Sequence, residues 1–271
     1  MGLYRTLTTL VSSCLALLLI YCHCSPRTQA AEAASAPRSQ PVGKADDRAE
    51  AVIARAIQAI GGEKTFTRWR CGYIKYKSKG GIVPAFIGEM TVEDTFQLPG
   101  HLKRVLHMDN GGRDMVMIWV INNGKGWTKK GDGPSEPMDN NFTDSAEHTF
   151  AAFSNLAPLV EGHAQLTTLG DEKIGGREAT GIRVQSDKLG EADLYFSLET
   201  GLLLKSRKSV PGTDPNKANI GETFLDEYKD VQGGKVPMRI RVTYDGKELF
   251  NIHLIDVKFS DRFDDATFAK P

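Results

Sequence analysis

The stretch from Glu191 to Val210, EADLYFSLETGLLLKSRKSV, constrains the fold more than any other part of the chain. Ala192, Leu194, Phe196 and Leu198 alternate with Glu191, Asp193, Tyr195 and Ser197, the period of a strand with one dry face. Glu199-Thr200-Gly201 supplies a short connection with a glycine available for positive φ. Leu202, Leu203 and Leu204 open a return strand, and Lys205, Arg207 and Lys208 put charge on what should be its wet face. The stretch is a predicted β-hairpin with no catalytic motif on it.

Other segments repeat the pattern. Ile74 and Tyr76 alternate with Tyr73, Lys75 and Lys77; Phe86, Met90, Val92 and Phe96 share one parity; Leu102, Leu106 and Met108 share the next. Met115 to Ile121 is apolar on both parities, which predicts a central strand. Asn110-Gly111-Gly112 and Asn122-Asn123-Gly124 are turns around it. From Gln165 onward the chain reads as a β-meander, with Thr180, Ile182 and Val184 on one face and Phe224 and Tyr228 marking a later strand. The segment 210–218 interrupts it as a Pro-containing surface loop. Met238, Ile240, Val242 and Tyr244 then lead through an Asp245-Gly246 turn to Phe250, Ile252 and Leu254. The apolar parity shifts to Val257 and Phe259, which places a β-bulge near Ile255 and Asp256.

Two helices complete the set. Ala49, Ile53, Ala56, Ile57 and Ile60 form one helical face, with Asp46 and Asp47 suited to its N-terminus and Gly61-Gly62 to its end. Asp144 and Glu147 make a capping box for a second helix bearing Phe150, Phe153, Leu156 and Ala157, stopped by Pro158.

The N-terminus predicts export. Arg5 precedes an apolar run from about Leu7 to Tyr21 that is short for a membrane span, so residues 1–30 read as a secretory signal peptide, with cleavage after Ala30 or Ala33. A retained anchor and a lipidated Cys22 or Cys24 are the alternatives; Tyr21 and His23, large residues before the cysteines, stand against lipidation. Residues 31–45 are Ala-, Ser- and Pro-rich and read as a flexible linker, leaving 46–271 as the folded domain. Loss of Arg5 and Arg27 leaves 32 basic against 34 acidic residues, a balance that gives no nucleic-acid signature. Cys71 alone remains after processing, so no intramolecular disulfide is expected.

No catalytic constellation emerges. His101, His107, His148, His163 and His253 show no metal-ligand spacing, His101 and His107 falling six apart on one predicted strand and the others on separate elements. No serine sits in a G-x-S-x-G elbow, and 122–126 lacks phosphate-loop spacing. Asp132, Glu136, Asp139 and Asp144 lack EF-hand order and read as a solvated loop. Asn141-Phe142-Thr143 matches a glycosylation sequon, a tripeptide frequent by chance.

The sequence therefore predicts an α+β, mainly antiparallel fold of about ten or eleven strands with two helices, curled to protect its edges. A curled sheet has a concave face that packs on helices or holds an apolar ligand. Its candidate lining is Phe86, Met90, Phe96, Met117, Trp119, Phe150, Phe153, Leu156, Phe196, Ile240 and Val242, residues that suit an adaptable cavity and equally an ordinary core.

Several of these segments resemble exported bacterial proteins of the outer-membrane lipoprotein-sorting, LolA/LolB-like type. The similarity is carried by Asp193-Leu194-Tyr195-Phe196 to Thr200-Gly201-Leu202-Leu203, Lys235-Val236-Pro237, Asp245-Gly246-Lys247, Asn123-Gly124-Lys125-Gly126-Trp127, Ala59-Ile60-Gly61-Gly62 and the closing Phe268-Ala269-Lys270-Pro271. It covers roughly residues 46–271. The resemblance implies an incomplete β-barrel whose mouth is closed by helices, an apolar cavity for lipid or lipoprotein acyl chains, no enzymatic activity and no cofactor. It implies a periplasmic or cell-envelope location, and the same fold also serves envelope-stress sensing through protein partners. The family's functional arginine has no matching position in its motifs here.

Overall fold

The computed structural model describes residues 46–79, 88–109, 114–138, 164–186, 190–211 and 218–271. Among the described residues thirteen strands form one antiparallel sheet: β1 Cys71–Lys79, β2 Glu89–Gln97, β3 His101–Asp109, β4 Asp114–Asn122, β5 Lys125–Lys130, β6 Glu136–Pro137, β7 Gln165–Ile174, β8 Arg177–Ser186, β9 Gly190–Ser197, β10 Leu203–Pro211, β11 Ala218–Val231, β12 Gly234–Tyr244 and β13 Lys247–Phe259. Their spatial order is β6-β5-β4-β3-β2-β1-β13-β12-β11-β10-β9-β8-β7. The sheet does not close, because β6 and β7 form its two edges. Pairing β1 with β13 brings the two ends of the domain together at its middle, so both long meanders run outward from there.

The strand count exceeds the sequence expectation because the run after Trp127 adds the two-residue β6, and Gln165 to Ser186 folds as a full hairpin, β7–β8. The organising hairpin is β9–β10. Asp245 and Gly246 both take positive φ, 46° and 75°, as a two-residue hairpin turn requires. The expected bulge is present: Lys75 pairs with Asp256 and Tyr76 with Leu254, leaving Ile255 as the extra residue, 49% exposed. The 210–218 segment does not break the meander, since β10 and β11 pair directly as far as Pro211 and Ala218.

Three expectations need correction. β4 is interior but third from an edge, and its second apolar face is covered differently: the C-terminal 3-10 turn Asp265–Phe268 packs against β3 and β4, with Asn122 donating to the Phe268 carbonyl. The outward residues of β9 are not wet, because Asp193, Tyr195 and Ser197 are all buried. Lys205 is buried too, lying 4.2 Å over the Tyr195 ring and ion-paired with Glu172 at 2.7 Å. Tyr195 in turn lies across Gly181, where a Cβ would approach the ring to 2.9 Å, so the strand partner must lack a side chain.

Helix α1, Asp47–Ala59, packs on the inner face of the sheet as its apolar stripe predicts, with Ala49, Ile53, Ala56 and Ile57 buried. Asp46 caps it, accepting from the Ala49 amide at 3.0 Å, and its other oxygen accepts from the Thr168 amide of β7 at 2.7 Å. A short helix α2, Glu63–Arg68, follows the glycine pair and was not legible from periodicity. The expected helix with Phe150, Phe153 and Leu156 lies outside the described residues, as do Phe86, the sequon and the N-terminal 45 residues.

Candidate functional site

Strand alternation places two apolar clusters side by side on the inner face. One, beneath α1, contains Ile182, Val184, Ala192, Leu194, Phe196, Leu203 and Leu225. The other spreads over β1–β4, β12 and β13. Leu225 of the first pairs directly with Ile240 of the second, so the two share one face, and Trp69 packs against both, stacked on Phe259 with ring centroids 5.9 Å apart.

The second cluster is ordered in cross-strand rows. At one end stand Phe259, Gly72, Phe96, Leu102 and Ile121. At the other stand Ile240, Ile252, Ser78, Met90, Met108 and Met115. The first end is tightly buried, Phe96, Leu102 and Ile121 being 2% exposed or less; at the second, Ile252, Met90 and Met115 are half-buried. Every methionine after Met1 lies in this cluster: Met108 and Met117 buried, Met90, Met115, Met138 and Met238 packed at its margin. The cluster beneath α1 contains none.

Between the two ends runs the row Val257, Ile74, Asp94, Arg104, Trp119 and Thr128. Asp94 and Arg104 face each other across β2 and β3, with Nε to Oδ1 at 2.7 Å and Nη2 to Oδ2 at 2.9 Å. The side chains are 1% and 12% exposed, so this is a bidentate ion pair set into an apolar face. The Arg104 guanidinium lies 5.7 Å from the Trp119 ring centre. Burial alone would lower the Arg104 pKa, but the Asp94 carboxylate more than reverses that and holds it above the ordinary arginine value. Tyr76, one row away, has its phenol pushed well up by burial; the Arg104 cation opposes the rise and the Asp94 carboxylate adds to it. Ser78 is 3% exposed and its hydroxyl has no partner among the described residues.

Of the residues singled out from the sequence, Met90, Phe96, Met117, Trp119, Ile240 and Val242 come together in the methionine-bearing cluster. Phe196 does not join them; it sits under α1, 1% exposed. Phe86, Phe150, Phe153 and Leu156 lie outside the described residues. Sequence reasoning missed Asp94, Arg104, Tyr76 and Ser78 as site residues. The signal was available: Asp94 interrupts the dry parity between Val92 and Phe96, Arg104 interrupts it between Leu102 and Leu106, and a tight Leu98-Pro99-Gly100 connection puts the two opposite each other.

Among the described residues no three His, Cys, Asp or Glu side chains converge on a metal-sized space, Cys71 is a free buried thiol, and no helix is long and apolar enough to cross a membrane.

No family model and no curated protein matches the sequence. Solved structures do match the fold. A DUF1329 family protein from Desulfovibrio piger aligns with a TM-score of 0.51 at 11% identity, over 82% of this chain and 97% of that one. A putative outer membrane lipoprotein-sorting protein domain from Vibrio parahaemolyticus aligns at 0.45 and 10% identity, and a LolA superfamily protein from Nitrosomonas europaea at 0.42 and 14% identity, each with the same coverage. At 11% identity what the first of these has in common with the chain is the fold alone.

Proposed function

We propose that this is an exported binding protein, without catalytic function of its own, that holds an acyl chain or the lipid moiety of a lipoprotein against the inner face of β1–β4, β12 and β13. The observation that carries the reading is the sorting of the methionines. A core that needs only to be filled has no reason to collect all of them on one half of a face and exclude them from the other. Unbranched, polarizable thioethers repack at low cost around a flexible chain, which is what a site for acyl groups of varied length requires. Met90, Phe96, Met117, Trp119, Ile240 and Val242 would line the site, with Phe86, Phe150, Phe153 and Leu156 as further candidates. The resemblance read in the sequence supports this assignment, and the predicted signal peptide supports an exported, periplasmic or envelope location.

Burial supplies the affinity. At about 0.8 kcal/mol per CH₂, six methylenes contribute roughly 5 kcal/mol before the costs of association. The test has two arms. Native mass spectrometry of protein purified from its own host should show a copurified lipid or acylated peptide, and delipidated protein should take up a fluorescent fatty-acyl probe. Met115→Gln, at a half-buried position, should weaken uptake while leaving the circular dichroism spectrum unchanged, and Trp119→Asp should weaken it further. A delipidated protein that is folded yet takes up no acyl probe would leave an envelope sensor or interaction domain of the same fold.

A further inference from the structure

We propose that Asp94, Arg104 and Tyr76 form a polar subsite for the oxygen-bearing group of the bound amphiphile, and that this group is a neutral acyl ester rather than a free carboxylate. The inference rests on the binding reading above and adds the ligand's chemical class.

A buried ion pair is a poor stabilising device: two apolar residues of similar volume usually serve a fold as well or better, because taking both charges out of water costs about what their attraction returns. Its place here is specific. The pair sits in the middle of the apolar face, with the phenylalanine-bearing row on one side and the methionine-bearing row on the other. Asp94 fixes the guanidinium through two nitrogens and Tyr76 packs beside the carboxylate, so the arginine is oriented rather than mobile. A second observation points the same way. The Ser78 hydroxyl, on the same face four residues along β1 from the row of the ion pair and so about 13 Å along the strand, is buried and without a partner among the described residues, a cost that a second oxygen further along the ligand would remove.

Charge decides the class. Asp94 and Arg104 cancel, so an incoming carboxylate would bring an unbalanced negative charge into a low-dielectric site beside the Asp94 carboxylate. An ester carbonyl accepts a charge-assisted hydrogen bond from the guanidinium without adding charge. The tail then lies along the half-buried methionine row, where the lining adapts to its length.

The experiment compares 1-pyrenedecanoic acid with its methyl ester at a pH where the acid is ionised, by fluorescence titration of the delipidated full protein. The wild type should bind the ester at least tenfold more tightly than the acid. Asp94→Asn leaves the arginine cation uncancelled and should reverse the preference toward the acid, an outcome that a merely structural pair would not produce. Since that change risks the fold, Asp94→Leu/Arg104→Met removes both charges at similar volume: it should fold, still bind pyrene-labelled chains, and lose about tenfold in affinity for the ester. Equal binding of acid and ester by the wild type, unchanged in the double variant, overturns the subsite and leaves the acyl-binding reading intact. Binding of neither probe by folded wild type overturns both.

Discussion

The two halves of the inner face are made from the same sheet and the same alternation, yet they are finished differently. Beneath α1 the side chains are alanine, branched aliphatic or aromatic, and Ile182, Val184 and Ala49 are wholly shielded. These are residues with few rotamers, held by a helix whose small Ala49 and Ala56 let it approach the strands closely. The other half carries every described methionine, a bidentate ion pair, a serine without a partner among the described residues and a margin of half-buried side chains. One half is specified as a core; the other combines adaptable apolar surface with oriented polarity, the composition that the proposed binding role requires.

That contrast breaks first under substitution. Phe196→Ala in the helix-covered half should cost about 3–5 kcal/mol by leaving a cavity, seen as a lower denaturation midpoint at unchanged m-value, with acyl-probe affinity per folded molecule preserved. Arg104→Met should cost about the same for a different reason, since it strands the Asp94 carboxylate, and adding Asp94→Leu should recover most of the loss. Recovery upon the second change separates charge from packing. If the double variant stays as unstable as the single one, the ion pair is a structural strut and the two halves are less distinct than their composition suggests.

Methionine exchange should produce a smaller change. Met108→Leu conserves volume and should cost less than about 1.5 kcal/mol, while narrowing the range of chain lengths bound, because leucine is branched and less adaptable. Mild peroxide treatment probes the same row chemically: the half-buried Met90 and Met115 should convert to sulfoxides before the buried Met108 and Met117, and acyl uptake should fall as they do, while the half beneath α1 offers no methionine to oxidise. Peptide mapping by mass spectrometry alongside a binding titration checks both orders.

How much of this was legible in the sequence follows from what alternation can report. Period-two patterns gave most of the strands, the Asp245-Gly246 turn and the bulge at Ile255, because each is a local property of the chain. Alternation was misleading at Lys205 and Tyr195, where polar and long side chains are buried by one another on the outer face, through a cation–π contact within the β9–β10 hairpin and ion pairs from Lys205 to Glu222 of β11 and to Glu172 of the more distant β7. It was incomplete at Asp94 and Arg104, which were passed over because a charge on a dry parity reads as noise until it is paired across the hairpin. The apolar lining was identified largely by residue type, yet the division that assigns Phe196 to one half and Trp119 to the other depends on where α1 lies, a long-range contact that no local pattern encodes.

The smallest effect concerns how the helix-covered half is closed at its edge. β7 is an edge strand, and an edge amide left open invites pairing with another chain. Asp46 answers both needs with one carboxylate, capping α1 through Ala49 and occupying the Thr168 amide of β7. Hydrogen bonds to those amides, Thr168 foremost, hold its pKa below the ordinary 3.8. A depressed carboxylate pKa stabilises the fold fully above the unfolded value, and the contribution disappears as pH falls through the lower folded value. Asp46→Ala should therefore lower the melting temperature slightly at neutral pH, and the gap from wild type should shrink on acidification through that window. Asp46→Asn keeps an acceptor but cannot ionise, so it should retain part of the cap and lose the pH dependence. Acyl-probe affinity should stay unchanged in both variants, since Asp46 touches only the half of the face that α1 already covers; a loss of binding would mean that the two halves are coupled through the helix and that the division between core and site is not independent.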